Sequence, residues 1–266
     1  MIISNSKNYV LVKTRKVGGT SVELKLCDSL EDGDISTYLK EHTGKTNFDR
    51  HVTELTTLRK PAIGRRPVRL SEHCPLTRAY RAFGRDLENH LVISIDRNPW
   101  DLAVSHYFWK TRRFYDAKAL PIEEQRARFK KYALTYFARS WKRHLWGWYK
   151  HRELSHRDLY MIDGVSMVDH MLRYECLEED MQALGDRIGL PGLSLEGVNA
   201  KRTTRPKKGR SYQDMYDKET RDHVARVAAW EIDAYGYDFE GHNTPRFEPD
   251  PRRHAVKDAW FTKQGV

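Results

Sequence analysis

A lysine, two glycines and two hydroxyl side chains stand together in Lys16-Val17-Gly18-Gly19-Thr20-Ser21, shortly after the apolar run Tyr9-Val10-Leu11-Val12-Lys13. Residues of these types in this order can hold a phosphate or a sulfate. Gly18 and Gly19 lack the Cβ atoms that would keep an anion off the backbone, and a helix starting there points unpaired N–H groups at it. Thr20 and Ser21 add hydroxyl donors, and Lys16 adds a mobile positive charge. A second polar set lies at Asp96-Arg97-Asn98-Pro99, with Ser105 eight residues beyond Arg97. If a strand ends at Asp96 and a helix starts near Pro99, that guanidinium and that hydroxyl can face one crevice.

The residue order sets aside two common nucleotide motifs. The P-loop of nucleoside triphosphatases, G-x-x-x-x-G-K-[ST], puts lysine after its last glycine and a magnesium-binding hydroxyl next to it. Here the lysine comes first, and the G-x-G-x-x-G of a dinucleotide turn is absent.

To position these groups the chain must supply strands that end at the turns. Residues 8–14 read as a strand, followed by a helix from Thr20 to about Asp28. The polar segment 29–75, with turn signals at Asp32-Gly33-Asp34, Pro61 and Gly64, reads as loop with short helices. A helix at Leu76–Gly84, a strand at 90–95 and the helix from Pro99 follow. In 121–150, Leu134, Phe137, Trp141, Leu145 and Trp148 recur at steps of three and four, one apolar helical stripe, which leaves Trp146 and Tyr149 as surface candidates. Strands are expected at about 158–163 and 169–174, then a helix from Leu177 to Ile188 ended by Gly189 and Pro191. The last regular element is read as a helix from Lys218 to Ala234. Alternation of strands and helices predicts an α/β fold, a central mainly parallel sheet with both faces covered and the ligand at the strands' carboxyl ends. Residues 1–241 read as one domain and 242–266 as a C-terminal tail or surface arm.

Together the two polar segments resemble those of sulfotransferases that use 3′-phosphoadenosine-5′-phosphosulfate (PAPS), notably the carbohydrate-type branch and its bacterial counterparts. The resemblance extends to Met171-Leu172-Arg173-Tyr174-Glu175, except that Cys176 stands where that family has aspartate, and to the basic loop Lys207-Lys208-Gly209-Arg210. It implies a three-layer sandwich with a P-loop-like sulfotransferase fold. It also implies that Lys16 through Ser21 hold the 5′-phosphosulfate and that Arg97 and Ser105 hold the 3′-phosphate. Tyr174 would contact the adenine, and Lys208, Gly209 and Arg210 would cover the nucleotide. Lys16 would be catalytic at the bridging oxygen. His73, in Ser71-Glu72-His73-Cys74, is the first choice of general base, with His51 and Glu72 as alternatives. The acceptor would be a hydroxyl, most naturally a glycan's, and no metal is called for.

Composition agrees with a folded enzyme. The 266 residues suffice for a sizeable core, and seven Trp, fourteen Tyr and nine Phe supply large side chains to fill it. A formal charge of +10 attracts anions such as the doubly phosphorylated nucleotide. The basic residues are dispersed, and no zinc-finger spacing or aromatic RNA-binding signature accompanies them, so no nucleic acid partner is expected. Three widely separated cysteines predict reduced thiols, and the absence of a long apolar run predicts a cytoplasmic chain with no membrane partner. That location departs from the Golgi-anchored eukaryotic carbohydrate sulfotransferases. Two other readings remain open: a P-loop-like nucleotide kinase, and a non-catalytic basic protein that binds nucleotides or nucleic acid.

Overall fold

The structure is a computed structural model that describes residues 1–37, 52–53, 57–58, 68–114, 116–117, 119–137, 154–198 and 211–266, without the side chains of 52–53, 57–58 and 68–69. In chain order its strands are β1 (Ile2–Ser4), β2 (Tyr9–Val12), β3 (Ile35–Thr37), β4 (Val52–Thr53), β5 (Thr57–Leu58), β6 (Val68–Arg69), β7 (Leu91–Asp96), β8 (Met161–Ile162), β9 (Val165–Ser166) and β10 (His170–Arg173). The helices are α1 (Gly19–Cys27), α2 (Leu76–Phe83), α3 (Pro99–Thr111), α4 (Ile122–Tyr136), α5 (Arg157–Tyr160), α6 (Leu177–Ile188), α7 (Lys218–Val227), α8 (Ala229–Tyr235) and α9 (Arg253–Gln264). The chain clusters into two compact units. The first comprises Met1–Asp96, Arg157–Val198 and Glu248–Val266, and the second Arg97–His156 and Asn199–Phe247.

The first unit is built on a sheet of five strands with the two-residue β4 as a sixth, in the order β10-β7-β2-β1-β3-β4. β10, β7 and β2 run parallel, as the alternation of elements predicts. β1 is antiparallel to both β2 and β3, which makes the sheet mixed. The reason is local: only Asn5–Asn8 separate β1 from β2, and so short a connection closes an antiparallel hairpin but not a parallel crossover. Every residue of β2 is buried, and so are Val92 to Asp96 of β7. Near-continuous apolar runs are what strands covered on both faces require. Ser94 is a polar exception, and its Oγ donates to the Val12 carbonyl at 3.1 Å.

Helix α6 matches its sequence signals. Glu178, Glu179 and Asp180 occupy its first turn, where the helix dipole favours negative charge, and Gly189 closes it in the left-handed region at φ 74°. Met181, Leu184 and Ile188 form its buried face.

Several expectations are corrected. Within 29–75 the described residues include β3 to β6 rather than short helices, and strands of two or three residues are too short to show a periodicity. Residues 157–160 form a helical turn, and Asp163-Gly164, both at positive φ, turn the β8–β9 hairpin where a single strand was expected. The helix expected over Lys218–Ala234 is broken at Ala228 into α7 and α8. The stretch 242–266, read as a tail or a surface arm, contains α9. Phe261 and Trp260 of α9 are buried and pack on the Tyr80 ring of α2, with centroids at 4.9 and 5.8 Å. Arg253 Nε binds Asp169 Oδ1 at 2.6 Å, and the other oxygen of Asp169 accepts from Val92 N–H, which ties the chain's last helix to the sheet.

In the second unit α3 begins as its sequence predicts, with Pro99 in its first turn and Asn98 Oδ1 accepting from Trp100 N–H at 3.1 Å. The buried positions of α4 are Gln125, Phe129 and Ala133, followed by Phe137, whereas Leu134 is only half-buried. Trp141, Leu145, Trp146, Trp148 and Tyr149 lie outside the described residues. Among the described residues no helix is long and apolar enough to cross a membrane.

Gly185 of α6 tests the packing of the first unit. A Cβ there would lie 2.5 Å from the Leu190 carbonyl oxygen and 2.7 Å from Leu193 Cβ. Gly185→Ala is therefore expected to destabilise the chain by about 1–3 kcal/mol despite alanine's better helix propensity, read as a lower midpoint in urea.

Candidate functional site

Three parallel strands bring their carboxyl ends to one edge of the sheet in the first unit. The pairs Val12↔Ser94 and Arg173↔Asp96 set that register, so the turn after β2 and the residues after β10 leave the sheet on the same side. Thr14 Oγ1 donates to the Ile95 carbonyl and pins the start of the turn to β7. Lys16 then takes positive φ (63°), and Gly18 takes φ 81°, ψ 1° as the residue that opens α1. Ser21 N–H closes on the Gly18 carbonyl at 2.9 Å. No side chain caps α1 and no acidic residue stands in its first turn, which leaves its positive dipole end to an anion.

Gly18 is needed for its conformation, and both glycines stand where a Cβ would be crowded. A Cβ on Gly19 would lie 3.1 Å from Lys13 Cγ, and one on Gly18 would lie 3.3 Å from the Tyr174 ring and from Leu177. Tyr174, immediately after β10, thus stands against the turn with 37% of its surface exposed. The structure brings Tyr174 together with Lys16, Val17, Gly18, Gly19, Thr20 and Ser21, of which Val17 is buried and Lys16, Thr20 and Ser21 are half-buried.

Beneath the turn lies an ion cluster that the sequence reading missed. Lys13, 2% exposed, places Nζ 2.7 Å from Glu23 Oε2 on α1 and 2.6 Å from Glu72 Oε1. Glu23 is fully buried and also receives the Met1 amino group at 3.1 Å. Burial alone would raise the Glu23 carboxyl, but the Met1 amino group and Lys13 outweigh it and hold it below the usual carboxylate range. His73 joins the same cluster: Nδ1 lies 2.9 Å from the Lys13 carbonyl and Nε2 3.5 Å from Glu72 Oε1. Burial pushes its imidazole down to about 4, against the opposing pull of Glu72. At neutral pH the ring is therefore uncharged, with Nδ1–H donating to the carbonyl and Nε2 carrying the lone pair.

The second unit holds the other polar set. Arg97 is buried, with Nε 2.7 Å from Asp101 Oδ2 and Nη2 on the same oxygen. Asp101 escaped the sequence reading, although its i, i+4 spacing from Arg97 was a usable signal. Ser105 is buried two turns into α3. Asn98 Nδ2 donates to the Asp238 carbonyl at 2.8 Å, and Tyr216 OH donates to the Trp100 carbonyl at 2.8 Å, which fixes the start of α3. His51, Lys208, Gly209 and Arg210 lie outside the described residues. None of the three cysteines is joined in a disulfide, and among the described residues no group of three His, Cys, Asp or Glu could hold a metal.

Glu23→Ala is expected to cost about 3–5 kcal/mol in chemical denaturation, because it leaves the buried Met1 amino group without a counter-charge and Lys13 with Glu72 as its remaining one. The depressed imidazole of His73 has an acid signature. Its folded value of about 4 lies below the ordinary 6.5, so the unfolded chain takes up the proton first. Its contribution is complete above pH 6.5 and is lost as pH falls towards 4, and His73→Gln is expected to flatten the fall of stability across that window.

No family model, no curated protein and no solved structure matches this chain.

Proposed function

We propose that this chain is a sulfotransferase that moves the sulfuryl group of PAPS to a hydroxyl of an acceptor, with a carbohydrate as the acceptor class. The observation that carries the reading is the turn between β2 and α1. There a left-handed Gly18 opens a helix that no side chain caps, with Lys16 before it and Thr20 and Ser21 after it. The parallel trio β10, β7 and β2, with that turn at its carboxyl edge, supports a three-layer, P-loop-like sulfotransferase fold as part of the same proposal. The residues present fit the donor: an uncapped helix start and two hydroxyls suit a 5′-phosphate, and the half-exposed Tyr174 ring beside Gly18 suits a flat base.

The donor, when bound, supplies an activated sulfuryl group on a nucleotide that departs as an anion. The chain's part is positioning and electrostatics. The first N–H groups of α1 with Thr20 and Ser21 bind the 5′-phosphate, and Lys16 places its charge where negative charge grows on the bridging oxygen. Arg97 and Ser105 bind the 3′-phosphate, and Asp101 orients the guanidinium through two N–H bonds to one oxygen. Lys208, Gly209 and Arg210 are assigned to the cover of the nucleotide. His73 takes the acceptor proton at Nε2, since Nδ1 is committed to the Lys13 carbonyl, and the Glu72 carboxylate 3.5 Å away stabilises the imidazolium that forms.

Thermal unfolding with 3′-phosphoadenosine-5′-phosphate (PAP) tests the reading. Protection is expected, worth about 2.7 kcal/mol at one hundred times the dissociation constant, with little from ATP and magnesium. Arg97→Ala is expected to weaken PAP binding, and Lys16→Ala to lower turnover with labelled PAPS by more than it lowers affinity. Absence of protection by PAP, or equal protection in the Arg97→Ala variant, refutes the assignment.

A further inference from the structure

We propose that the C-terminal tip of α3 is a docking site for an anionic phospholipid bilayer, a surface contact that goes beyond the transfer reaction. Lys110, Arg112 and Arg113 stand exposed in the last turn of α3 and just after it, followed by Phe114 at 78% exposure. None of the three cations has a carboxylate partner among the described residues. On the neighbouring α4 three of the four cations are paired, Arg126 with Glu123, Arg128 with Glu124, and Lys130 with Asp217 and Glu219, while Lys131 has no carboxylate partner among the described residues and no exposed ring of Phe114's kind beside it.

Aromatic rings hold two of the unmatched cations in place. The Arg112 guanidinium lies 5.1 Å from the centre of the Trp109 ring, and the Lys110 ammonium 5.4 Å from that of Tyr136. Both contacts leave the charged heads at the surface. Phe114 stacks on no other ring among the described residues. The other large apolar side chain that is exposed among them, Tyr174, belongs to the site in the first unit.

A protruding ring flanked by cations suits the headgroup boundary of a bilayer. There the ring leaves water, while each cation is attracted by lipid phosphates and carboxylates within a Debye length. A neutral glycan would want neutral hydrogen-bonding side chains as well, and a single-stranded nucleic acid a basic groove with rings on which successive bases stack rather than one ring at a helix tip. The stretch Trp109-Lys110-Thr111-Arg112-Arg113-Phe114 contains no Asn, Gln, Asp or Glu, and its one hydroxyl, on Thr111, is turned to the Tyr107 carbonyl at 2.8 Å. One ring and three charges make this a reversible contact rather than a permanent anchor.

Co-sedimentation of the full chain with phosphatidylcholine vesicles, with and without one quarter phosphatidylserine, tests the proposal. Binding is expected to the anionic vesicles, weakening as salt rises. Arg112→Gln/Arg113→Gln is expected to lower the partition coefficient about thirty-fold, at about five-fold per charge. Phe114→Ser is expected to lower it several-fold, and it keeps the test alive should the charge variant fail to fold. Arg126→Gln/Arg128→Gln removes the same formal charge from paired positions and is expected to change binding far less. No binding to anionic vesicles, equal losses in the two double variants, or an unchanged Phe114→Ser overturns the proposal. So does binding to a single-stranded oligonucleotide or to heparin that the tip variants weaken as much as vesicle binding. The vesicles carry no nucleotide and the PAP measurement no lipid, so this proposal and the sulfotransferase reading fail independently.

Discussion

The buried ammonium of Lys13 is the interaction on which the first unit's glycine turn depends. It is the last residue before that turn, and its side chain answers Glu23 of α1 and Glu72 ahead of α2 while its carbonyl holds His73. One residue thereby joins a strand end, the helix after the turn and the segment that carries the candidate base. Such a cluster is not cheap, since taking ions out of water costs about as much as their attraction returns. Its value lies in specificity. Any arrangement that moves α1 away from β2 leaves a charge buried without its partner, so the position of the turn is fixed far more tightly than apolar packing alone would fix it.

The same logic recurs in the second unit, with hydrogen bonds doing more of the work. Arg97, just ahead of α3, is kept in place by Asp101 in that helix's first turn, and the start of α3 is fastened by Asn98 to the Asp238 carbonyl and by Tyr216 to the Trp100 carbonyl. Trp100 in turn donates Nε1–H to the Arg221 carbonyl at 3.0 Å. A buried guanidinium must be held in one orientation without collapsing on a distant acid. A carboxylate four residues on, in the first turn of α3, provides that orientation at little entropic cost, because the backbone between them is already ordered.

Charge is used differently in different parts of the chain. Buried charges are matched one for one around Lys13, and Arg126, Arg128 and Lys130 on α4 are matched by neighbouring acids, whereas the three cations at the tip of α3 have no carboxylate partner among the described residues. At the α3 tip three such cations stand together beside a protruding aromatic ring.

What the sequence determined by itself is what neighbouring residues decide. The glycine-rich turn at Lys16–Ser21, the Asn98-Pro99 start of α3 and the Gly189 stop of α6 are set by φ preferences and capping within a few positions, so they could be read directly. The antiparallel β1 and the short β3 to β6 could not, because two or three residues carry no period and strand pairing is made with distant partners. The same holds for α9, whose Phe261 finds Tyr80 some 180 residues earlier in the chain. Within the site, tertiary structure alone decided that Lys13, Glu23, Glu72 and His73 form one cluster and that Tyr174 stands against Gly18. Burial and charge pairing act through space rather than along the chain, and only the folded molecule brings those groups within reach.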